Sequence, residues 1–424
     1  MQRPVAPLTR VTLAVRSGAA SDGPLTGVSL LTAHAMVTGG AGQFGATELV
    51  ERLGSTGARV EVDSTLDATY WSLGVPPDRL ALALSLFAEM VRRPRFTYPL
   101  FVRTRERLMV QARELARHSG YWPAREVIFQ RLFAAEGEDA AYTRTGATRK
   151  ELSEIAVPQC RRWHAHHVTP QNAVVSVVGT VDPPAALELV VDSFGDWKGS
   201  PPPTTTPVAP PTVRGPQFAL VNQPDATRAQ VVAGWIGPAG PSPQRSAFEV
   251  GLRSLCSDPR LTESTPSGTR LTHCDFVSLA GGASVALLGV ETIPGNLGRV
   301  TARLLATIES ADDSRPLIET ELHRMVTSRP TAWESNRGLS RKLCELAVLG
   351  LSLDAPNEEL DRLRALDTDA VERAREDWLS RDRVVLGAAG PAKEVDPALS
   401  RLLSVEVVSA EDFRVLRRLP TPND

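Results

Sequence analysis

The sequence predicts an α+β protein of two homologous halves, each a mixed β-sheet with helices packed on one side, joined by a Pro-rich linker. Two observations carry this reading. The order of apolar strand, glycine-bearing turn and amphipathic helix recurs at an offset of about 210 to 220 residues. Between the two copies the composition changes abruptly at Lys198–Pro216, which contains Ser200-Pro201-Pro202-Pro203 and Pro210-Pro211 and reads as an extended linker. The expected boundaries are 1–197, 198–216 and 217–424.

In the first half, Val11, Leu13 and Val15 alternate with smaller residues and run into Ser17-Gly18, the pattern of a strand and its turn. Thr26–Val37 follows as a small-residue-rich helix ending at Gly39-Gly40, glycines that suit a helix C-terminus. Thr47–Leu53 is a short amphipathic helix, and Gly57–Leu73 is a pair of strands rich in Val, Thr, Tyr and Trp. Leu80–Val91, Phe101–Ala116 and Ala124–Ala135 are helical by their apolar spacing, and Lys150–His167 is a helix restarting at Pro158. Pro170–Gly179 is a buried strand with a glycine stop. In the second half Val231–Ala239 and Arg245–Cys256 repeat the opening strand and helix. Ser284–Val290 with Asn296–Ile308 repeats Thr69–Val75 with Leu80–Val91, and Arg373–Leu379 with Arg383–Pro391 repeats the pair ending at Gly179.

Composition bounds the function. The chain has 424 residues, 42% hydrophobic and 23% charged, with a formal net charge of −2. That balance supplies no phosphate-neutralising excess, so neither nucleic acid nor an anionic membrane is the expected partner. No apolar run reaches the length of a membrane span, and Met1–Pro7 contains no apolar signal core. Cys160, Cys256, Cys274 and Cys344 are scattered and read as reduced, mostly buried thiols. A soluble, cytoplasmic protein is the expectation.

The helix Gly27–Met36 is the centre of the functional reading. It resembles the inverted zinc helix of the pitrilysin/insulinase peptidases, in which two His at i and i+4 share a Zn²⁺ and a Glu beside the second polarises the metal-bound water. Here Leu30 stands at the first His position and Ala33 at the Glu position, and only His34 remains. The family's third ligand, a Glu on a later helix, aligns with Gln111, a neutral amide; Glu106 and Glu114 are nearby. The resemblance spans essentially the whole chain and implies no catalytic or metal site here, with zinc expected in a partner subunit.

Further marks belong to the same resemblance. Gly57–Thr69 is similar to the family's substrate strand, a sheet edge on which an extended peptide pairs through its backbone. Its core is Glu61-Val62-Asp63-Ser64, and the two carboxylates are expected to change which peptides are tolerated. The family's substrate-binding Arg and Tyr fall near Pro259–His273, where Arg270 is the candidate Arg and Leu271 or His273 occupies the Tyr position. The implied role is a non-catalytic subunit of a heterodimeric zinc peptidase that encloses peptides, including leader or precursor segments, for a homologous chain with the intact motif. The alternative is a scaffold or peptide-binding protein without protease activity. His164, His166 and His167 read as structural or surface residues within a family pattern ending in Asn172, and Cys160, one turn from His164, reads as a small buried hydrophobe.

Overall fold

The structure is a computed structural model that describes residues 8–133, 141–202, 217–261, 268–310, 314–329, 333–399 and 402–419. Residues 203–216 of the expected linker and 262–267 before Arg270 lie outside the described residues. In chain order the first elements are β1 (Thr9–Val15), α1 (Val28–Thr38), α2 (Ala46–Ser55), β2 (Glu61–Ser64), β3 (Thr69–Val75), α3 (Leu80–Arg92), α4 (Tyr98–His118) and α5 (Tyr121–Phe133). They are followed by α6 (Arg149–Glu154), α7 (Val157–His167), β4 (Ala173–Val178), α8 (Pro183–Phe194), β5 (Gln217–Asn222), β6 (Ala229–Gly237) and α9 (Pro243–Cys256). The remainder comprises β7 (Arg270–Ser278), β8 (Ser284–Thr292), α10 (Leu297–Glu309), α11 (Ser314–Ser328), α12 (Asn336–Val348), α13 (Ala355–Ala365), α14 (Thr368–Trp378), β9 (Val385–Gly390), α15 (Ala392–Leu399), β10 (Val405–Ser409) and β11 (Val415–Leu419).

The fold is α+β with two sheets, and the chain divides into two compact units that interleave along the sequence. The first unit is Met1–Val110, Arg149–Thr206 and Arg329–Ala355; the second is Gln111–Thr148, Pro207–Ser328 and Pro356–Asp424. The sheet of the first runs β2-β3-β1-β4, and that of the second β11-β10-β5-β9-β6-β8-β7. Read from one end, β7-β8-β6-β9 reproduces β2-β3-β1-β4 element for element, the structural counterpart of the repeat seen in the sequence.

Two features of the expected architecture are corrected. The four-stranded sheet is antiparallel throughout rather than mixed, because β3 and β4 both run antiparallel to β1, and β2 runs antiparallel to β3. The second sheet is mixed, since β5 pairs in parallel with both β9 and β10. Helices also cover both faces of each sheet, not one. In β1 the period of two sends Leu13 and Thr12 to opposite faces. Leu13 lies opposite Trp71, whose indole N–H donates to the Ala33 carbonyl of α1 at 3.2 Å. Thr12 meets α12 on the other face, where Ser340 Oγ donates to Thr12 Oγ1 at 2.7 Å and lies 2.7 Å from Ser176 Oγ. Around these hydroxyls Ala14, Ala68, Tyr70, Cys344 and Val348 form an apolar cluster. The second sheet is built the same way: α9 and α10 pack with Trp235, Phe248 and Leu288 on one face, and α5 covers Ala219, Val221 and Ala389 on the other. There Gly387 approaches α5 so closely that a Cβ would stand 2.2 Å from the Ala124 carbonyl oxygen. The helix that closes each sheet belongs to the same unit but is remote from that sheet's strands in the sequence, α12 for the first and α5 for the second.

The expectation of four reduced thiols is also corrected. Cys256 and Cys274 form a disulfide; they are 18 residues apart, but the packing of α9 against β7 brings their Cα atoms to 6.2 Å. Cys160 and Cys344 are free and buried. A disulfide persists most readily in oxidising compartments, so the thiol argument for a cytoplasmic location lapses. Among the described residues no helix is long and apolar enough to cross a membrane.

Candidate functional site

Helix α1 starts at Gly27, which holds φ at 91°, a conformation that suits glycine. The carboxylate of Asp22 accepts the N–H groups of Gly27 at 2.6 Å and Ser29 at 2.9 Å, so the first turn is capped from a buried position. Burial pushes the Asp22 carboxyl up to about 7, against the pull of those donors. Val28, Ser29, Leu31, Thr32, Ala33, Ala35 and Met36 are buried, which leaves Leu30 and His34 half-buried on the remaining stripe, one turn apart. The helix thus presents both ligand positions on one face, as a zinc helix must.

The chemistry on that face is different. Leu30 offers no donor, and Ala33 is fully buried. His34 Nδ1 lies 3.3 Å from the Arg107 guanidinium of α4, and one turn further along α1 Thr38 Oγ1 lies 2.9 Å from Thr104 Oγ1. Desolvation first, and then the Arg107 charge, lower the His34 pKa to about 4, with Asp63 pulling the other way. A zinc ion on this imidazole would have to share it with a fixed cation and find its other ligands elsewhere. Gln111, one turn beyond Arg107 on α4, is an exposed amide. Glu106 and Glu114 are exposed on the same helix, and Glu114 pairs with His118 at 3.4 Å. Among the described residues no three His, Cys, Asp or Glu side chains converge as a metal site. The residues at the zinc-helix positions do not fit the ion.

The candidate peptide strand is built. β2 lies at the edge of the first sheet, with Glu61, Val62, Asp63 and Ser64 opposite Ser72, Trp71, Tyr70 and Thr69 of β3. Alternation puts Glu61 and Asp63 on the face covered by α12, and Val62 on the face of Trp71 and α1. Both carboxylates are already engaged. Glu61 pairs with Arg10 and, at 2.9 Å, with Arg337; Asp63 pairs with Arg341 at 2.8 Å. Arg341 also lies over the Tyr70 ring, 3.2 Å from its centre, and pairs with Glu345 at 3.0 Å. Glu61 and Asp63 are therefore each tied to an arginine of α12. Arg337 and Arg341 are spaced i, i+4, which places them on one helix face, but only the folded chain brings that face to β2.

In the second unit Arg270 opens the edge strand β7. Its guanidinium is held by Glu291 at 3.1 Å, and Glu291 also takes Arg228 at 2.9 Å. A bulge falls between Leu271 and His273, and His273 stacks on Tyr121 with ring centres 3.4 Å apart and planes within 1°. The Tyr121 hydroxyl donates to Asp275. Desolvation lowers the His273 pKa, with the Asp275 and Glu291 carboxylates pulling the other way. Sequence reasoning missed Tyr121 because it comes from α5, about 150 residues away in the chain.

His164 Nε2 lies 2.8 Å from the Val91 carbonyl, and His167 Nδ1 lies 2.9 Å from Ser17 Oγ while its ring stacks on Trp163. Burial pushes the Cys160 thiol up to about 11, the reverse of what an activated nucleophile needs.

Residues 1–143 match the family model described as insulinase (peptidase family M16), and residues 155–264 match the one described as peptidase M16 inactive domain. The chain belongs to the M16, or insulinase, peptidase family. No curated protein sequence matches it significantly. Among solved structures, a peptidase M16 inactive domain from Pseudomonas fluorescens is similar at 19% identity and a TM-score of 0.77, covering 92% of this chain and 94% of that one. A protease from Helicobacter pylori is similar at 16% identity and 0.77, covering 92% and 96%. A chain of complex III2 from Candida albicans, bound to Inz-5, is similar at 12% and 0.74, covering 94% and 95%. At these identities the likeness is one of fold.

Proposed function

We propose that this chain is the non-catalytic subunit of a two-chain M16 peptidase, in which a homologous partner with an intact zinc motif performs hydrolysis. The reading treats 1–197 and 217–424 as the duplicated halves and the segment between as their linker. The observation that carries it is the contrast within the first unit: Arg107 occupies the neighbourhood of the one remaining imidazole, while the β2 edge is kept and reinforced by ion pairs. An edge strand holds an extended peptide through main-chain hydrogen bonds and reads little sequence. This chain would contribute enclosure and alignment, which lower the entropic part of the barrier, and the partner's zinc would supply the activated water. Leader or precursor peptides are the substrates this role suits.

A second reading, a scaffold or peptide-binding protein without a peptidase partner, draws support from the likeness to a chain of complex III2. Co-expression with an M16 chain bearing His-x-x-Glu-His separates the two. The peptidase reading expects a stable pair and cleavage of a quenched fluorescent peptide only when both chains are present. Pairing without cleavage favours the scaffold, and cleavage by this chain alone overturns both.

A further inference from the structure

We propose that Arg337 makes the β2 edge selective for a peptide with an acidic side chain opposite Glu61, an inference that rests on the peptide-binding reading above. Three observations carry it. First, among the described ion pairs Glu61 receives two guanidinium groups against its single charge, whereas the neighbouring Asp63, Arg341, Glu345 and Lys342 balance one another. Second, the two arginines differ in exposure. Arg10 is 12% exposed and also donates to Ser72 Oγ, which fixes it as the permanent partner of Glu61, whereas Arg337 is 71% exposed. Third, the sheet register decides which peptide side chain they meet.

A strand added outside β2 would place the side chain opposite Glu61 on the same face as Glu61, because directly paired residues share a face. That is the α12 face, where Arg337 lies against Glu61. The residue opposite Val62 would point to the other face, towards α1. An incoming carboxylate therefore completes a row of alternating charge: Arg10, Glu61, Arg337, peptide. Glu61 keeps Arg10 when Arg337 turns to the peptide, so neither protein carboxylate loses its last partner. A lysine at that position meets a surplus cation instead. The sign is opposite to the one that two acidic residues in β2 suggest when the sequence is read without the fold.

The size is that of an exposed ion pair, about two- to fivefold in affinity, and it falls with added salt. The test is fluorescence anisotropy of the full chain with labelled extended peptides identical except for Glu, Ala or Lys at alternate positions, at two salt concentrations. The expected order of affinity is Glu, then Ala, then Lys. Arg337→Ala brings the Glu-to-Ala ratio to about one, and Arg337→Glu reverses the order, with thermal unfolding confirming that both variants are folded. If the wild type favours Lys, or if the Glu preference persists in Arg337→Ala, this inference is wrong while peptide binding stands. If no peptide of any charge binds, the edge-strand reading itself fails and the inference goes with it.

Discussion

The two faces of the first sheet meet very different helices. On one, α1 keeps the shape of a zinc helix, with its N-terminus capped and its two ligand positions on one stripe, but those positions carry Leu30 and an imidazole beside Arg107. On the other, α12 brings the buried Ser340 hydroxyl to β1 and β4, and the exposed Arg337 and half-buried Arg341 to β2. Shape can outlast chemistry on the first face because helix packing depends on apolar residues that zinc never touches. On the second, the polar contacts are themselves what fasten the helix to the sheet.

Attempts to reverse the chemistry on α1 should expose this difference most strongly. Ala33→Glu puts a carboxylate at a fully buried position whose carbonyl already accepts the Trp71 indole. The expected cost is about 3 to 5 kcal/mol of stability in denaturant titration, with no gain in zinc binding. A stable Ala33→Glu protein that gains zinc would mean that the α1 face is a site awaiting one residue. On the α12 face, Ser340→Ala takes from the Thr12 hydroxyl its Ser340 donor, while Ser176 Oγ keeps its bond to the Ser340 carbonyl at 2.8 Å, and should cost about 1 to 3 kcal/mol. A double-mutant cycle with Ser176→Ala should show the two sites strongly coupled; additive losses would break the view that this network joins helix to sheet.

A smaller effect should come from pH. The folded-state pKa of His34 is about 4, below the 6.5 of an unfolded histidine, so the unfolded chain takes up the proton first. Stability from keeping this imidazole neutral is whole above pH 6.5 and is lost as pH falls towards 4, at up to about 1 kcal/mol per pH unit. His34→Gln should flatten that part of the acid stability profile, measured as the difference from wild type between pH 7 and 4.5. An unchanged slope would place His34 in a more solvated setting than its contact with Arg107 implies.

Much of the fold was legible in local pattern. Alternation in Val11–Val15 and helical spacing in Leu80–Val91 depend on short-range periodicity, so the repeat and the α+β class followed. The position of α12 did not, because an amphipathic helix announces that one face is buried without saying against which sheet. The same limit hid the Arg337 and Arg341 pairs to β2, the Tyr121–His273 stack and the Cys256–Cys274 bond, all of which join residues distant in the chain or brought together by strand–helix packing. The loss of ligands at Leu30, Ala33 and Gln111 was plain from residue identity, whereas the cation against His34 needed α4 laid beside α1.

The most direct measurement is zinc stoichiometry. The full chain and its His34→Ala variant should be equilibrated with zinc, passed through a desalting column and analysed for metal, with peptide turnover assayed on the same samples. Both should carry the same trace of metal, far below one ion per chain, and neither should cleave peptide. One tightly held zinc in the wild type that disappears with His34→Ala, together with turnover, would contradict the account at its centre.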